Sequence, residues 1–465
     1  MNRKQRSPHE QQQPCPGQVV EVTGTDLNRH GHGLARWNGW VLIVPDLLPG
    51  ERAQVQIQQK WRSQWLARNV QTLQTVPGRR DPPCSQAKDC GGCSLQHLGD
   101  DDQVSLKQSQ LTETFKRLAK IKHPLKPLLA STERSLGYRN RALIPLRRHE
   151  NGELQMGYYK RGSHKIVDID KCPVLDQRLE KYLLPLKNDI EAQQWPADSD
   201  LISGDGLRHL GLRIGQNTGQ VLITLVSSVH KLEGLIQQAQ TWCNRWPEVV
   251  GVTINIQPAK NNLVLGDKTR LLAGQQEIEE YFCGLRLMLS TTTFFQVNTI
   301  QAQKIVTMLC QWLSRNNAVN VIDAYCGIGT ISLPLVAAGA SVVGLEIHEN
   351  SIQQAKRNAS INNLLNSNFI SGDVGANLES QLPHCDALIV DPPRKGLSQN
   401  VIENILNNPP RLVGYLSCDP TTLARDLNYL LSPGGVYEIE ELQPIDFFPQ
   451  TTHVECLALL RRVNS

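Results

Sequence analysis

The chain of 465 residues has no apolar run approaching membrane-spanning length, which argues against a spanning helix. Its first residues, Met1 to Gly17, are polar, carry a glutamine run and lack the apolar core of a signal peptide. No internal repeat of useful period is present, which sets repeat architectures aside. Without an export signal, the 12 cysteines do not read as a disulfide framework. The expectation is a cytoplasmic protein of two or three domains, with a disordered tail over residues 1–17, no membrane partner and no obligate protein partner.

A large net charge is also missing, at +4, but its distribution is uneven. Residues 1–175 carry 27 Lys and Arg against 16 Asp and Glu, and the remainder carries 21 against 28. A basic front half on an acidic rear suggests that the front faces nucleic acid. Within it, Arg134, Tyr138, Arg139, Arg141, Arg147 and Arg148 interleave cations with an aromatic, as surfaces that track an RNA backbone do.

What is present begins with Cys84, Cys90 and Cys93, spaced Cys-x5-Cys-x2-Cys around Cys90-Gly91-Gly92-Cys93. Three thiols beside paired glycines suit a metal nest, and thiolates favour zinc or iron–sulfur clusters. The candidate fourth ligand is Cys172, followed by Pro173, because proline after a ligand cysteine recurs in cluster sites. Spacing does not separate zinc from a [4Fe-4S] cluster.

Residues 18–75 read as short strands with turn signals, which suits a small OB-like barrel. A strand-rich stretch from Leu207 to about Leu289 reads as an antiparallel sheet within a central domain over 76–290. From residue 291 onward, strands and helices alternate, which implies an α/β, doubly wound, mostly parallel sheet. Here Val321 to Ala324 runs into Tyr325-Cys326-Gly327-Ile328-Gly329-Thr330, a strand entering a Gly-x-Gly turn and a helix. A dinucleotide fingerprint needs a third glycine where Ser332 stands. Glu346, ending the next strand, can accept from ribose hydroxyls, and Asp373 sits where an adenine amine could be met. Adenosine without pyrophosphate fits this set better than a dinucleotide. Further on, Cys418 follows an apolar strand and precedes a Pro-initiated helix. That placement predicts an exposed thiol with a lowered pKa, a nucleophile.

These residues resemble the S-adenosylmethionine-dependent RNA uracil-5-methyltransferases. The markers are Phe294-Phe295-Gln296-Val297-Asn298, Asp323 to Thr330, Asp391-Pro392-Pro393-Arg394-Lys395-Gly396, Ser417 to Asp426, and Phe448 to Glu455. The resemblance implies a class I methyltransferase domain over 291–465, a TRAM barrel over 18–75, and a [4Fe-4S] cluster on Cys84, Cys90, Cys93 and Cys172. It implies Cys418 as nucleophile and Glu455 as base. Gln296, Tyr325, Thr330, Glu346, Asp373 and Asp391 would line the S-adenosyl-L-methionine pocket, with Thr330 standing where many relatives carry Asn. The combination of barrel and cluster is most similar to the branch acting on 23S rRNA, with uridine 1939 as the implied target and the uridine flipped from its strand. Rival readings are a uridine at another rRNA or tRNA site, a non-catalytic RNA-binding scaffold, and DNA cytosine-5 methylation.

Overall fold

The computed structural model describes residues 13–131, 135–202, 204–431 and 435–463. The expected tail lies mostly outside these, as does Arg134. Two compact units are found, the first made of residues 1–87, 92–103 and 450–452 and the second of the rest.

In the first unit, β1 (Val19–Leu27), β2 (Gly33–Trp37), β3 (Trp40–Val44), β4 (Arg52–Trp61) and β5 (Gln64–Gln74) close into a barrel in the order β1-β2-β3-β5-β4. Alternation drives closure. Val20 and Val22 point inward from β1 and Val55 and Ile57 from β4, while Glu21 and Gln56 stay outside the core. Gly24 marks a bulge in β1, and a side chain there would meet the Leu48 carbonyl at 2.2 Å.

Helix α1 (Asp100–Thr114) follows in the chain and ends in a π-helical turn over Phe115–Ala119. A seven-stranded sheet follows, built from β6 (Arg141–Arg148), β7 (Leu154–Tyr159), β8 (Ile166–Asp168), β9 (Leu207–Ile214), β10 (Val221–Ser227), β11 (Val249–Ile256) and β12 (Lys268–Gly274). Its order is β12-β11-β10-β9-β6-β7-β8. One face packs under α2 (Gln177–Ala192) and α3 (Leu235–Arg245), through Ile144, Leu212 and Ile223 against Leu183, Leu186 and Trp242. The sheet is not wholly antiparallel as expected, because β10 and β11 run parallel. Helix α3 provides the crossover that such a pair requires. Its apolar stripe is only Leu235, Ala239 and Trp242 in a polar segment, too thin to stand out between two strongly apolar strands. A separate hairpin, β13 (Glu277–Phe282) and β14 (Leu285–Ser290), leads to the last domain.

That domain begins with α4 (Thr299–Arg315) and alternates β15 (Asn320–Ala324), α5 (Ser332–Ala337), β16 (Ser341–Glu346), α6 (Glu349–Ile361), β17 (Ser367–Ser371) and α7 (Val374–Gln381). It continues with β18 (Ala387–Val390), α8 (Gln399–Asn407), β19 (Leu412–Ser417), α9 (Pro420–Leu430), β20 (Tyr437–Ile445) and β21 (Glu455–Arg462). The sheet order is β17-β16-β15-β18-β19-β21-β20, and only β21 pairs antiparallel, with both neighbours. Order reverses at β15, so a crevice opens beyond the carboxyl ends of β15 and β18. Because β21 runs backward, its first residue, Glu455, falls at that same edge.

Lys107 of α1 is wholly buried, and its Nζ donates to Asp446 at 2.7 Å and to the Phe448 carbonyl at 3.1 Å. The pair pins the segment that leads toward Glu455. Replacing Lys107 with alanine removes the buried cation that faces Asp446, so a loss of about 3–5 kcal/mol is expected. Denaturant unfolding followed by tryptophan fluorescence would read it, and an unchanged midpoint would show that the pair contributes nothing. Among the described residues no helix is long and apolar enough to cross a membrane.

Candidate active site

Strand β15 ends at Ala324, and the chain turns through Tyr325, Gly327 and Gly329, all at positive φ (68°, 55° and 86°). Gly329 also lies so close to Leu333 that a side chain would meet it at 2.9 Å. The turn forms one wall of a recess that Gln296, Tyr325, Thr330 and Asp391 line. Glu346 sits at its rim, where one oxygen accepts from the Gly327 amide at 3.3 Å and the other from the His348 amide at 2.9 Å. Asp373 caps α7 by accepting from the Ala376 amide at 2.9 Å. The Tyr325 phenol is pushed up to about 12, by burial first and then by the charges of Asp373, Asp426 and Glu346. The six candidate cofactor residues thus gather at one edge, four in the recess and two on the strand ends beside it.

Asp323 also lines this recess and did not emerge from the sequence as a site residue. It is wholly buried, one carboxylate oxygen accepts from the Ser332 hydroxyl, and the other has no partner among the described residues. Burial lifts it to about 7. The signal was available: Ser332 stands where a dinucleotide site has glycine, and its hydroxyl is what holds Asp323. An orphaned carboxylate oxygen, with Asp391 and Glu346 close by, fits a cationic adenosyl cofactor and not a pyrophosphate.

Strands β19 and β21 pair with Ser417 opposite Cys456. One further step in that register sets Cys418 opposite Glu455, which is 4% exposed. The thiol is half-buried rather than exposed, and its pKa is pushed up to about 11, not down. Burial is the first cause, followed by the charges of Glu455 and Asp391, with Arg394 opposing. The helix N-terminus gives no relief, because the Asp419 carboxylate already accepts from the Thr421 and Thr422 amides. Burial, then Asp391, lifts Glu455 to about 8 against the pull of Arg394, and burial, then Asp323, lifts Asp391 to about 7. Arg394, two prolines after Asp391, is therefore the cation that faces both candidate catalytic groups.

The cysteine loop is built differently from this pocket. Gly91 donates to the Tyr159 carbonyl at 2.9 Å, and a side chain there would collide with that oxygen. Cys90 bridges Lys160 at the end of β7, and the Cys172 amide donates to Glu180 at 3.0 Å. In the first unit the Cys84 amide donates to Gln96 at 3.1 Å. Among the described residues, no three His, Cys, Asp or Glu side chains come together as a metal-holding group. Cys84 and Cys93 belong to the first unit, Cys90 and Cys172 to the second.

The expected basic track divides as well. Tyr138 is buried, Arg147 pairs with Asp200 and Asp198, and Arg148 donates to the Trp195, Gly152 and Ile190 carbonyls. Arg147 is thus held by acids and Arg148 by carbonyls; among the described residues Arg139 and Arg141 also bond carbonyls and are not paired with acids.

Comparison with known proteins agrees with this architecture. The profile of the tRNA (uracil-5-)-methyltransferase family matches residues 100–374 and 374–463, and that of the TRAM domain matches residues 13–61. An uncharacterized RNA methyltransferase of Parasynechococcus marenigrum is 56% identical, covering 97% of each chain. One from Listeria innocua is 36% identical, over 95% of this chain and 97% of its own. Among solved structures, the Pyrococcus abyssi tRNA (uracil-54, C5)-methyltransferase in complex with S-adenosyl-L-homocysteine aligns at a TM-score of 0.76 and 26% identity. That alignment covers 95% of this chain and 100% of that one. With its glycine turn, acid-lined recess and TRAM barrel, the chain belongs to the tRNA (uracil-5-)-methyltransferase family of S-adenosylmethionine-dependent RNA methyltransferases.

Proposed function

We propose that the protein methylates C5 of a uridine in 23S rRNA through a covalent adduct between Cys418 and C6 of the base. The observation that carries this reading is the β19–β21 register, which sets the thiol and the Glu455 carboxylate face to face beside the recess. C5 of uracil is too weak a nucleophile to take a methyl group unaided. Addition of the Cys418 thiolate at C6 pushes electrons into the ring and makes C5 enolate-like. Bound in the recess by Gln296, Tyr325, Thr330, Glu346, Asp373 and Asp391, S-adenosylmethionine supplies the methyl group as its sulfonium substituent. Glu455 then removes the C5 proton, the C5–C6 double bond re-forms, and the thiolate leaves. A stacked base cannot offer C6 to a thiol, so the uridine must be turned out of its strand.

A second reading has a specific support. The Pyrococcus abyssi structure, whose named substrate is tRNA, is matched over its whole length. A chain of this length and organisation therefore does not by itself select rRNA over tRNA. Labelled S-adenosylmethionine offered with purified 23S rRNA and with tRNA decides between them. Label entering 23S rRNA as 5-methyluridine is the expected result, and label in tRNA alone would transfer the reading to the second substrate.

We infer a [4Fe-4S] cluster on Cys84, Cys90, Cys93 and Cys172 from the cysteine spacing, Pro173 and the family resemblance. Anaerobically purified protein should carry iron and sulfide with a brown absorbance that Cys90→Ser bleaches. Stoichiometric zinc without iron would sink the assignment.

A further inference from the structure

Arg141 on β6 and Arg213 on β9 are partners across an antiparallel pair, where like charges repel. Arg213 is 5% exposed, and Arg141 is half-buried. Arg139 adds to the repulsion on Arg141 and donates to the Arg141 carbonyl at 3.0 Å. Among the described residues none of the three is bonded to a carboxylate. Their other donors meet neutral groups. Arg213 reaches the Thr293 carbonyl at 2.6 Å and the Thr293 hydroxyl at 3.1 Å, and Arg141 reaches the Thr291 carbonyl at 2.7 Å.

Stability does not account for this arrangement. Buried cations without counter-ions are unfavourable, and apolar residues of similar volume would serve the sheet better. The location suggests what they await. Thr293 directly precedes Phe294, which is 63% exposed and lines the cofactor recess, so the arginines stand at the rim of the candidate active site. A narrow cleft opens there between Arg141, Arg213, Leu143, Thr224 and Thr291. Gly211 keeps it open, since a side chain would press on Thr224 at 3.0 Å and Leu143 at 3.2 Å.

The geometry points to an anion subsite in which Arg139 and Arg141, with the buried charge of Arg213 behind them, take a phosphodiester of the RNA strand that carries the target uridine. It rests on the reading of RNA as substrate. A planar guanidinium suits a phosphate's paired oxygens, and a backbone contact holds the strand in register without reading sequence.

The test is binding of transcribed 23S rRNA to the full-length protein across a KCl series, for wild type, Arg141→Met and Arg139→Ala. Each variant should weaken binding about tenfold at low salt and flatten the plot of log affinity against log salt by about 1 unit of slope. Affinity for S-adenosylmethionine should stay unchanged. A wild-type slope in both variants would overturn the subsite and leave the arginines as a clamp on residues 291–293. If Arg141→Met also lowers the melting temperature, the slope of Arg139→Ala alone decides. Displacement of RNA by inorganic phosphate beyond the effect of matched KCl, lost in Arg141→Met, would assign the site to a free anion instead. A wild-type protein that neither binds nor methylates any RNA would overturn the substrate reading, and the subsite with it.

Discussion

Replacing Cys418 with alanine should lower methyl transfer by more than about a thousandfold while leaving S-adenosylmethionine affinity near wild type. Without sulfur addition at C6 the ring has no enolate character at C5, and no other thiol lies in position to substitute. Cys326 is buried in the cofactor turn with its pKa driven upward by burial, and Cys456 points into the core. Single-turnover transfer of labelled methyl to RNA, alongside equilibrium binding of cofactor, measures both quantities. Retention of roughly a tenth of the wild-type rate would remove Cys418 from the nucleophile's role. The thiol's elevated pKa of about 11 adds a second expectation. Arg394 is the charged neighbour that favours the thiolate, so Arg394→Gln should slow adduct formation and leave cofactor binding intact.

Replacing Glu455 with glutamine should let methylation proceed once and then stall. Proton removal from C5 follows methyl transfer, so a protein–RNA adduct that survives denaturing electrophoresis should accumulate to near stoichiometry. Normal turnover with free methylated RNA would mean that another group is the base. The wild-type protein offers a parallel test by pH. Burial and the Asp391 charge hold Glu455 at about 8, so only its ionised fraction can accept the proton. Release should slow about tenfold for each pH unit below that value. Adduct should therefore build up in mildly acid buffer and clear on return to alkaline pH, and a release rate independent of pH would contradict the assignment.

Much of the recess was legible because its residues obey a local rule. Each stands at or just after the carboxyl end of a strand: Tyr325 after β15, Glu346 ending β16, Asp391 after β18 and Cys418 after β19. Apolar runs mark such strands, and the residue that follows is where a doubly wound sheet presents its chemistry. The positive φ at Gly327 and Gly329 was equally readable from glycine beside a helix start. The thiol's electrostatics were not readable. Cys418 was expected to be exposed and acidified, yet Glu455 and Asp391 face it from separate strands, and Asp419 occupies the helix N-terminus. Arg213 was missed because only the β6–β9 register, across 72 residues of chain, sets it against Arg141.

Strand–helix alternation, the glycine turn, the barrel's inward valines and the cysteine spacing are properties of short segments. They follow from backbone sterics and from burial patterns two to four residues long. Whether a carboxylate is ionised, whether a cation has a partner, and which strand runs backward depend on groups far apart in the chain brought within a few ångströms. Coulomb energy and desolvation vary with distance and burial in space, not with separation in sequence. Position along the chain was therefore enough to nominate Cys418, Asp391 and Glu346, whereas only the folded sheet, with β21 reversed, set Glu455 against the thiol and raised the pKa of both.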